Sequence, residues 1–76
     1  MNALTPLSKI SESVCVFINE IQATPKLQIK LLAMGLGIGC SLEVIRNRRG
    51  DMVIAQGNSR ISLGRNIANK LLVTAQ

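Results

Sequence analysis

The first clear pattern of apolar positions has a period of two and lies in ESVCVFINEI, residues 12–21. Side chains alternate between the two faces of a β-strand, so a period of two predicts a strand with one buried face. Cys15 and Phe17 would lie together on the opposite face. The face predicted to be buried carries Val14, Val16 and Ile18.

A period near 3.6 follows in TPKLQIKLLAMG, residues 24–35, and predicts a short helix. Thr24 is a suitable N-cap and Pro25 fits the first helical position. Gly35 can end the helix because glycine adopts the left-handed conformation without a Cβ penalty. The buried stripe of this helix would consist of Leu27, Leu31 and Met34.

Ile29 and Leu32 lie outside that stripe, flanked by Lys26 and Lys30, and Leu36 adds an apolar side chain just beyond the end of the helix. One small core needs a single helical stripe, while the mean hydropathy of +0.32 indicates further apolar surface. An apolar patch beside basic residues is typical of a protein contact. The alternative is that the N-terminal segment folds back over the patch. The partner-binding surface predicted here consists of Lys26, Ile29, Lys30, Leu32 and Leu36.

The second half of the chain predicts three short antiparallel strands at 41–48, 52–57 and 60–63, a single helical turn at 64–70, and a last strand at 71–75. Short strands that leave no wide open edge favour closure. The predicted fold class is therefore mainly β: a small barrel of about five antiparallel strands, with one short α-helix between the first and second strands. Residues 1–11 are expected to be loosely held.

The glycines of LLAMGLGIGC, residues 31–40, raise the question of a phosphate-binding loop. A dinucleotide fingerprint has the spacing G-x-G-x-x-G and opens a helix, whereas here the third glycine comes one place early and the helix precedes the loop. A Walker loop is excluded because no Gly-Lys-Ser/Thr follows. The stretch is interpreted as a turn.

Composition narrows the chemistry, because the 76 residues contain no histidine and only four acidic residues. The commonest proton shuttle and metal ligand is thus missing, and no C-x-x-C spacing suggests a metal site. We expect no enzymatic activity, no cofactor, no metal site and no small-molecule substrate. Cys15 and Cys40 are expected to be reduced and buried.

Location and charge add two further expectations. The chain has neither an apolar run long enough to span a bilayer nor the pattern of a signal peptide, which favours a cytoplasmic single-domain protein. A net charge of +5 permits nucleic acid, an acidic protein or anionic lipid as a partner. Phe17 is the single aromatic residue, so platforms for stacking bases are missing.

From Leu27 to Val73 the sequence resembles the FeoA family of ferrous iron transport proteins. The shared pattern is a short helix ending in Met-Gly-Leu, a valine-containing strand, a Gly-Asp hairpin and a closing strand ending in valine. The hairpin of the family is commonly longer and carries proline after Gly-Asp, whereas Met52 follows here, which implies a tighter hairpin. The positions that match are Leu31, Met34, Gly35, Leu36, Gly39, Val44, Gly50, Asp51, Leu63, Arg65, Ala68 and Val73.

The resemblance implies an SH3-like barrel that acts as an accessory to a ferrous iron permease, a membrane protein with a cytosolic G-protein domain. It also implies a place at the inner face of the plasma membrane, through the permease, and weak self-association is a further expectation. The residues expected to maintain the family fold are Thr24, Leu31, Met34, Gly35, Gly39, Gly50, Asp51, Leu63 and Arg65.

A nucleic-acid-binding barrel is the competing hypothesis, because RRGDMVIAQGNSRISLG is similar to the hairpins of small ribosomal and transcription-factor barrels. A phosphate-contacting strip would be formed by Arg46, Arg48, Arg49, Arg60 and Arg65. Solvated charges on a strand face would give the same pattern.

Overall fold

The described chain, residues 4–76 of a computed structural model, forms one antiparallel sheet of six strands and two α-helices. The strands are β1 (Thr5–Pro6), β2 (Cys15–Ile21), β3 (Ser41–Arg48), β4 (Asp51–Gln56), β5 (Ser59–Leu63) and β6 (Leu71–Ala75). The helices are α1 (Pro25–Ala33) and α2 (Arg65–Ala68), and a 3₁₀ turn at Leu7–Lys9 follows β1.

The strands are arranged in the order β1-β6-β2-β3-β4-β5, so the first and last strands of the described chain are neighbours. Thr5 is paired with Val73, and β6 continues the sheet to β2. The predicted strands and the helix between the first two of them are confirmed, and β1 is an additional short strand. Neither helix of residues 4–76 has the length and apolar character needed to span a bilayer.

Two irregularities interrupt the period-two alternation. The register shifts between Ile18 and Glu20 in the pairing of β2 with β6, and between Val44 and Arg46 in the pairing of β3 with β4. An extra residue in one strand moves every later side chain to the other face. Arg46 therefore points to solvent although Val44 points into the core.

The core is filled by apolar side chains from the 3₁₀ turn, all the longer strands and both helices, as expected for a small closed sheet. Leu31 is the residue of α1 that is buried, and Ala68 is its counterpart in α2. The fully buried set is Leu7, Val16, Ile18, Leu31, Leu36, Leu42, Val44, Met52, Ile54, Leu63, Ala68, Leu71 and Val73.

Two predictions about the N-terminal region are wrong. The sequence predicts that residues 1–11 are loosely held, but within that range the segment 5–9 adds β1 to the sheet and places Leu7 in the core at 0% exposure. Residues 1–3 lie outside the described part of the chain. Cys15 was expected to be buried, but it lies on the solvent face of β2 beside Phe17, as the alternation of that strand requires.

Candidate functional site

Helix α1 begins and ends where the sequence predicts. The Thr24 hydroxyl accepts a hydrogen bond from the amide of Leu27 at 3.3 Å, and Pro25 occupies the first turn. At the other end Gly35 has a φ of 85°, in the left-handed region. The amide of Gly35 donates to the carbonyl of Leu32, and the amide of Leu36 donates to the carbonyl of Leu31, each at 2.9 Å. This pair of bonds is a Schellman motif.

The Schellman motif decides which side chains at the helix end are buried. It turns Leu36 back against Leu31, and both lie in the core. Leu36 is 0% exposed, so the prediction that it contributes exposed apolar surface is wrong. Met34, predicted to lie in the buried stripe, is 39% exposed because the chain leaves the helical path at that residue. Leu27 is partly buried against the core.

The loop of residues 35–40 uses its amide groups internally. Gly39 donates to the carbonyl of Ile18 at 2.7 Å, and Cys40 donates to the carbonyl of Gly37 at 3.1 Å. The Cys40 thiol donates to the carbonyl of Gly35 at 2.9 Å, and its sulfur accepts from the amide of Gly37 at 3.4 Å. A phosphate-binding loop needs free amides. The interpretation of this stretch as a turn is confirmed.

An apolar groove lies between α1 and this loop and encloses about 320 Å³. We use the name apolar groove for the surface formed by Ile21, Pro25, Ile29, Leu32, Leu36 and Ile38. Three of these side chains are unusually exposed for their size: Ile29 at 69%, Leu32 at 66% and Ile38 at 71%. Contiguous exposed aliphatic groups of this kind mark interaction surfaces.

The predicted surface residues are only partly brought together. Ile29 and Leu32 are exposed in the apolar groove, as expected, and Leu36 lines it from the core. Lys26 and Lys30 instead line a separate shallow pocket beside Thr24 and Leu27. Sequence reasoning missed Ile38, whose position between two glycines of an exposed turn was the available signal.

The residues of the Gly-Asp hairpin meet α2. Arg49 and Gly50 form the two-residue turn between β3 and β4, with φ values of 55° and 94°, which is the type I′ pattern. Asp51 accepts a hydrogen bond from the amide of Arg65 at 2.9 Å. The two-residue turn makes this hairpin tight, and that it is tighter than the hairpins of the family stays a prediction. Among the other residues expected to maintain the family fold, Leu63 is buried and Gly39 has a φ of 90°.

The arginines predicted to form one strip are divided between surfaces. Arg46 and Arg48 line a pocket with Asp51, whereas Arg49 and Arg65 line a different cleft. Arg60 lies exposed on β5. Across residues 4–76, no three His, Cys, Asp or Glu side chains are grouped so that they could hold a metal ion.

Comparison with known proteins identifies the family. The FeoA domain profile matches residues 5–75. The chain belongs to the FeoA family. A protein of Methanocaldococcus jannaschii described as an Fe(2+) transport protein A is 37% identical to this FeoA chain over 68 residues. These residues are 90% of this chain and 83% of the relative.

Solved structures show the same fold. A crystal structure of an iron uptake regulatory protein, FeoA, superposes with a TM-score of 0.89 at 24% identity, over 97% of this chain and 100% of the other. A manganese-dependent transcriptional repressor gives a TM-score of 0.89 at 18% identity, over 100% of this chain and 44% of the repressor. The SH3-like barrel expected for the FeoA family is therefore confirmed.

Proposed function

We propose that this FeoA protein is an accessory protein of ferrous iron uptake that acts from the cytoplasm. It docks on the cytosolic, G-protein-bearing part of a ferrous iron permease and has no enzymatic activity of its own. The family membership and the M. jannaschii relative named for Fe(2+) transport support the transport role. The observation that carries the docking step is the group of exposed side chains Ile29, Leu32 and Ile38 around the apolar groove.

The physical basis is the gain from removing aliphatic surface from water. Full burial of one Leu or Ile side chain contributes about 1.5–3 kcal/mol. Three such side chains that are each about two-thirds exposed therefore offer a gain large enough for a specific contact. The apolar groove resembles the apolar centre of a protein interface, and polar residues such as Gln28 lie beside it.

The surface is also held in place by hydrogen bonds before any partner binds. Ile29 and Leu32 stand on a capped helix, and Ile38 stands on a loop closed by the Cys40 thiol and by the amide of Gly39. A pre-ordered surface loses little conformational entropy on binding. An SH3-like barrel carries no function by itself, so a surface of this kind is where its function must lie.

The test is co-purification of the protein with the cytosolic domain of the permease. We expect the double variant Ile29→Lys with Leu32→Gln to keep its circular dichroism spectrum, because both side chains are exposed, and to lose binding. The matched control is Asn66→Lys, which adds the same charge at an exposed position of α2. The control should bind like the unchanged protein.

A second variant keeps the test decisive if the double variant unfolds. Ile38→Lys changes one exposed loop residue outside the helix and should abolish binding as well. Binding that survives both changes would contradict the proposal. Light scattering on the same preparations measures self-association, which should weaken in parallel if copies of the chain use the apolar groove.

A further inference from the structure

A second concavity lies where the N-terminal segment, the β3–β4 hairpin and α2 meet. It is open to solvent and has a volume of about 600 Å³, similar to that of small-molecule sites. We use the name polar cleft for the surface formed by Ser8, Lys9, Asn47, Arg49, Arg65 and Asn69, with Gly50 between the two arginines. The apolar groove shares none of these residues.

The polar cleft is positively charged. Lys9 comes from the 3₁₀ turn, Arg49 from the turn between β3 and β4, and Arg65 from α2. No carboxylate is among the residues that line the cleft. Two nearby carboxylates accept hydrogen bonds from backbone amides. Asp51 accepts from the amide of Arg65 and Glu12 accepts from the amide of Asn47, each at 2.9 Å. Several positive charges on one surface raise the affinity of that surface for anions.

The walls of the cleft are joined by hydrogen bonds that leave the three cationic groups out. The Asn47 side-chain amide donates to the carbonyls of Ser8 at 3.0 Å and Ile10 at 2.8 Å, and its oxygen accepts from the amide of Gly50 at 2.8 Å. Ser8 also donates to the side-chain oxygen of Asn69. The cleft is therefore formed in advance, with its cations available to a ligand.

Two backbone features place the arginines at the cleft. Arg49 occupies a left-handed turn position, φ 55°, where asparagine or glycine is the favoured residue. The stem of Arg65 lies over Gly50, since a Cβ on Gly50 would stand 2.7 Å from the Arg65 Cγ. A side chain at residue 50 would displace Arg65 from the cleft. An arginine where asparagine suits the backbone better indicates a role for its side chain.

We propose that the polar cleft binds a compact polyphosphate, either free pyrophosphate or the diphosphate or triphosphate group of a nucleotide. Arginine matches phosphate oxygens with paired N–H donors, and lysine adds a point charge. Several cations on one small cleft favour a multiply charged anion over a single phosphate. No aromatic side chain lines the cleft, so a nucleobase would add little to affinity.

Titration calorimetry of the intact protein with pyrophosphate, ADP and adenosine tests this assignment. Pyrophosphate and ADP should bind with similar affinity and adenosine should not bind. Arg49→Asn and Arg65→Gln should each weaken pyrophosphate binding about tenfold, as expected for the loss of a charge-assisted contact. Arg60→Gln, which removes an equal charge from β5, should have no effect.

Both variants are designed to keep the fold. Asparagine suits the left-handed turn position better than arginine, and glutamine keeps the Cβ, Cγ and Cδ atoms that pack over Gly50. Amide chemical shifts on addition of pyrophosphate should move at Lys9, Gly50 and Arg65. An equal loss of affinity in Arg60→Gln would overturn the proposal, because it would show attraction by net charge alone.

Binding of a DNA duplex tests whether nucleic acid is the ligand instead. A short DNA duplex whose binding depends on Arg46, Arg48 and Arg60 as strongly as on Arg49 would place the ligand on the whole basic surface and overturn the assignment to the cleft. None of these measurements involves the permease or the apolar groove. The outcome for the polar cleft is therefore independent of the outcome for docking.

Discussion

The backbone amide of Arg65 donates a hydrogen bond to Oδ1 of Asp51 across 2.9 Å and so ties the start of α2 to the start of β4. The N-cap of α2 is Gly64, which has no side chain to cap the helix. The carboxylate of Asp51, at the start of β4, supplies the acceptor that Gly64 lacks. This contact explains why the Gly-Asp pair and Arg65 belong to one structural unit although they are far apart in sequence.

Removal of this acceptor should destabilise the protein. We expect Asp51→Ala to lower the free energy of unfolding by about 1 kcal/mol, the usual cost of losing a helix cap. Asp51→Asn keeps an oxygen at the same position and should lose much less. Urea denaturation followed by circular dichroism measures both. Equal losses in the two variants would mean that the charge, and not the capping bond, matters.

Gly35 should tolerate a side chain poorly. Its φ of 85° strains any other residue, and a Cβ there would stand 2.9 Å from Oε1 of Gln56. Gly35→Ala should cost about 2 kcal/mol, the upper end for a left-handed residue. Gly57→Ala is the matched control, because Gly57 has a φ of 59° and open space around it, and it should cost clearly less.

A third variant separates strain from crowding at this position. Addition of Gln56→Ala to Gly35→Ala should recover the part of the loss that comes from the contact with Gln56, leaving the backbone term. If Gly35→Ala melts at the same temperature as the unchanged protein, the Schellman motif does not need glycine.

The two cysteines should behave differently. The Cys40 thiol closes the loop after α1 through the carbonyl of Gly35 and the amide of Gly37, so Cys40→Ala should cost about 1 kcal/mol. Cys15→Ala, on the exposed face of β2, should change stability by less than about 0.5 kcal/mol. A thiol reagent should label Cys15 in Cys40→Ser much faster than it labels Cys40 in Cys15→Ser. Equal labelling rates would show that the loop opens freely.

Asn47 should hold the N-terminal segment to the sheet. Its side chain makes three hydrogen bonds, to Ser8, Ile10 and Gly50, and Asn47→Ala should cost about 2 kcal/mol. Asn47→Asp keeps the acceptor for Gly50 but loses both donors to the segment. Both variants should speed hydrogen exchange at the Ile10 amide, which bonds to the carbonyl of Leu7. Unchanged exchange would show that β1 and Leu7 hold the segment without Asn47.

The features that the sequence predicts well depend on local signals. Thr24 and Pro25 start α1 and Gly35 ends it, because capping is decided by residues next to the helix end. The last strand, Leu71–Ala75, has the predicted bounds. The exposure of Ile29 and Leu32 follows from the helical period alone. Their use as a docking surface stays a prediction.

The features that it misses depend on distant partners. The register shift after Val44 turns Asn47 toward the N-terminal segment and Arg46 to solvent, which strict alternation from Leu42 could not predict. The burial of Leu7 depends on pairing with β6 at the far end of the chain. Cys15 is exposed for a local reason: the alternation of β2 places it on the solvent face, and the average tendency of cysteine to be buried does not override that face.

The pairing of Thr5 with Val73 brings the entry and exit of the barrel side by side. A short linker could therefore join these two points while the chain is reopened at the exposed turn of Gly57 and Asn58, and every strand would keep its neighbours. The same geometry allows the barrel to be inserted into another domain through these two adjacent points without disturbing its sheet. The repressor of which this fold makes up 44% shows that the architecture also occurs as part of a longer chain.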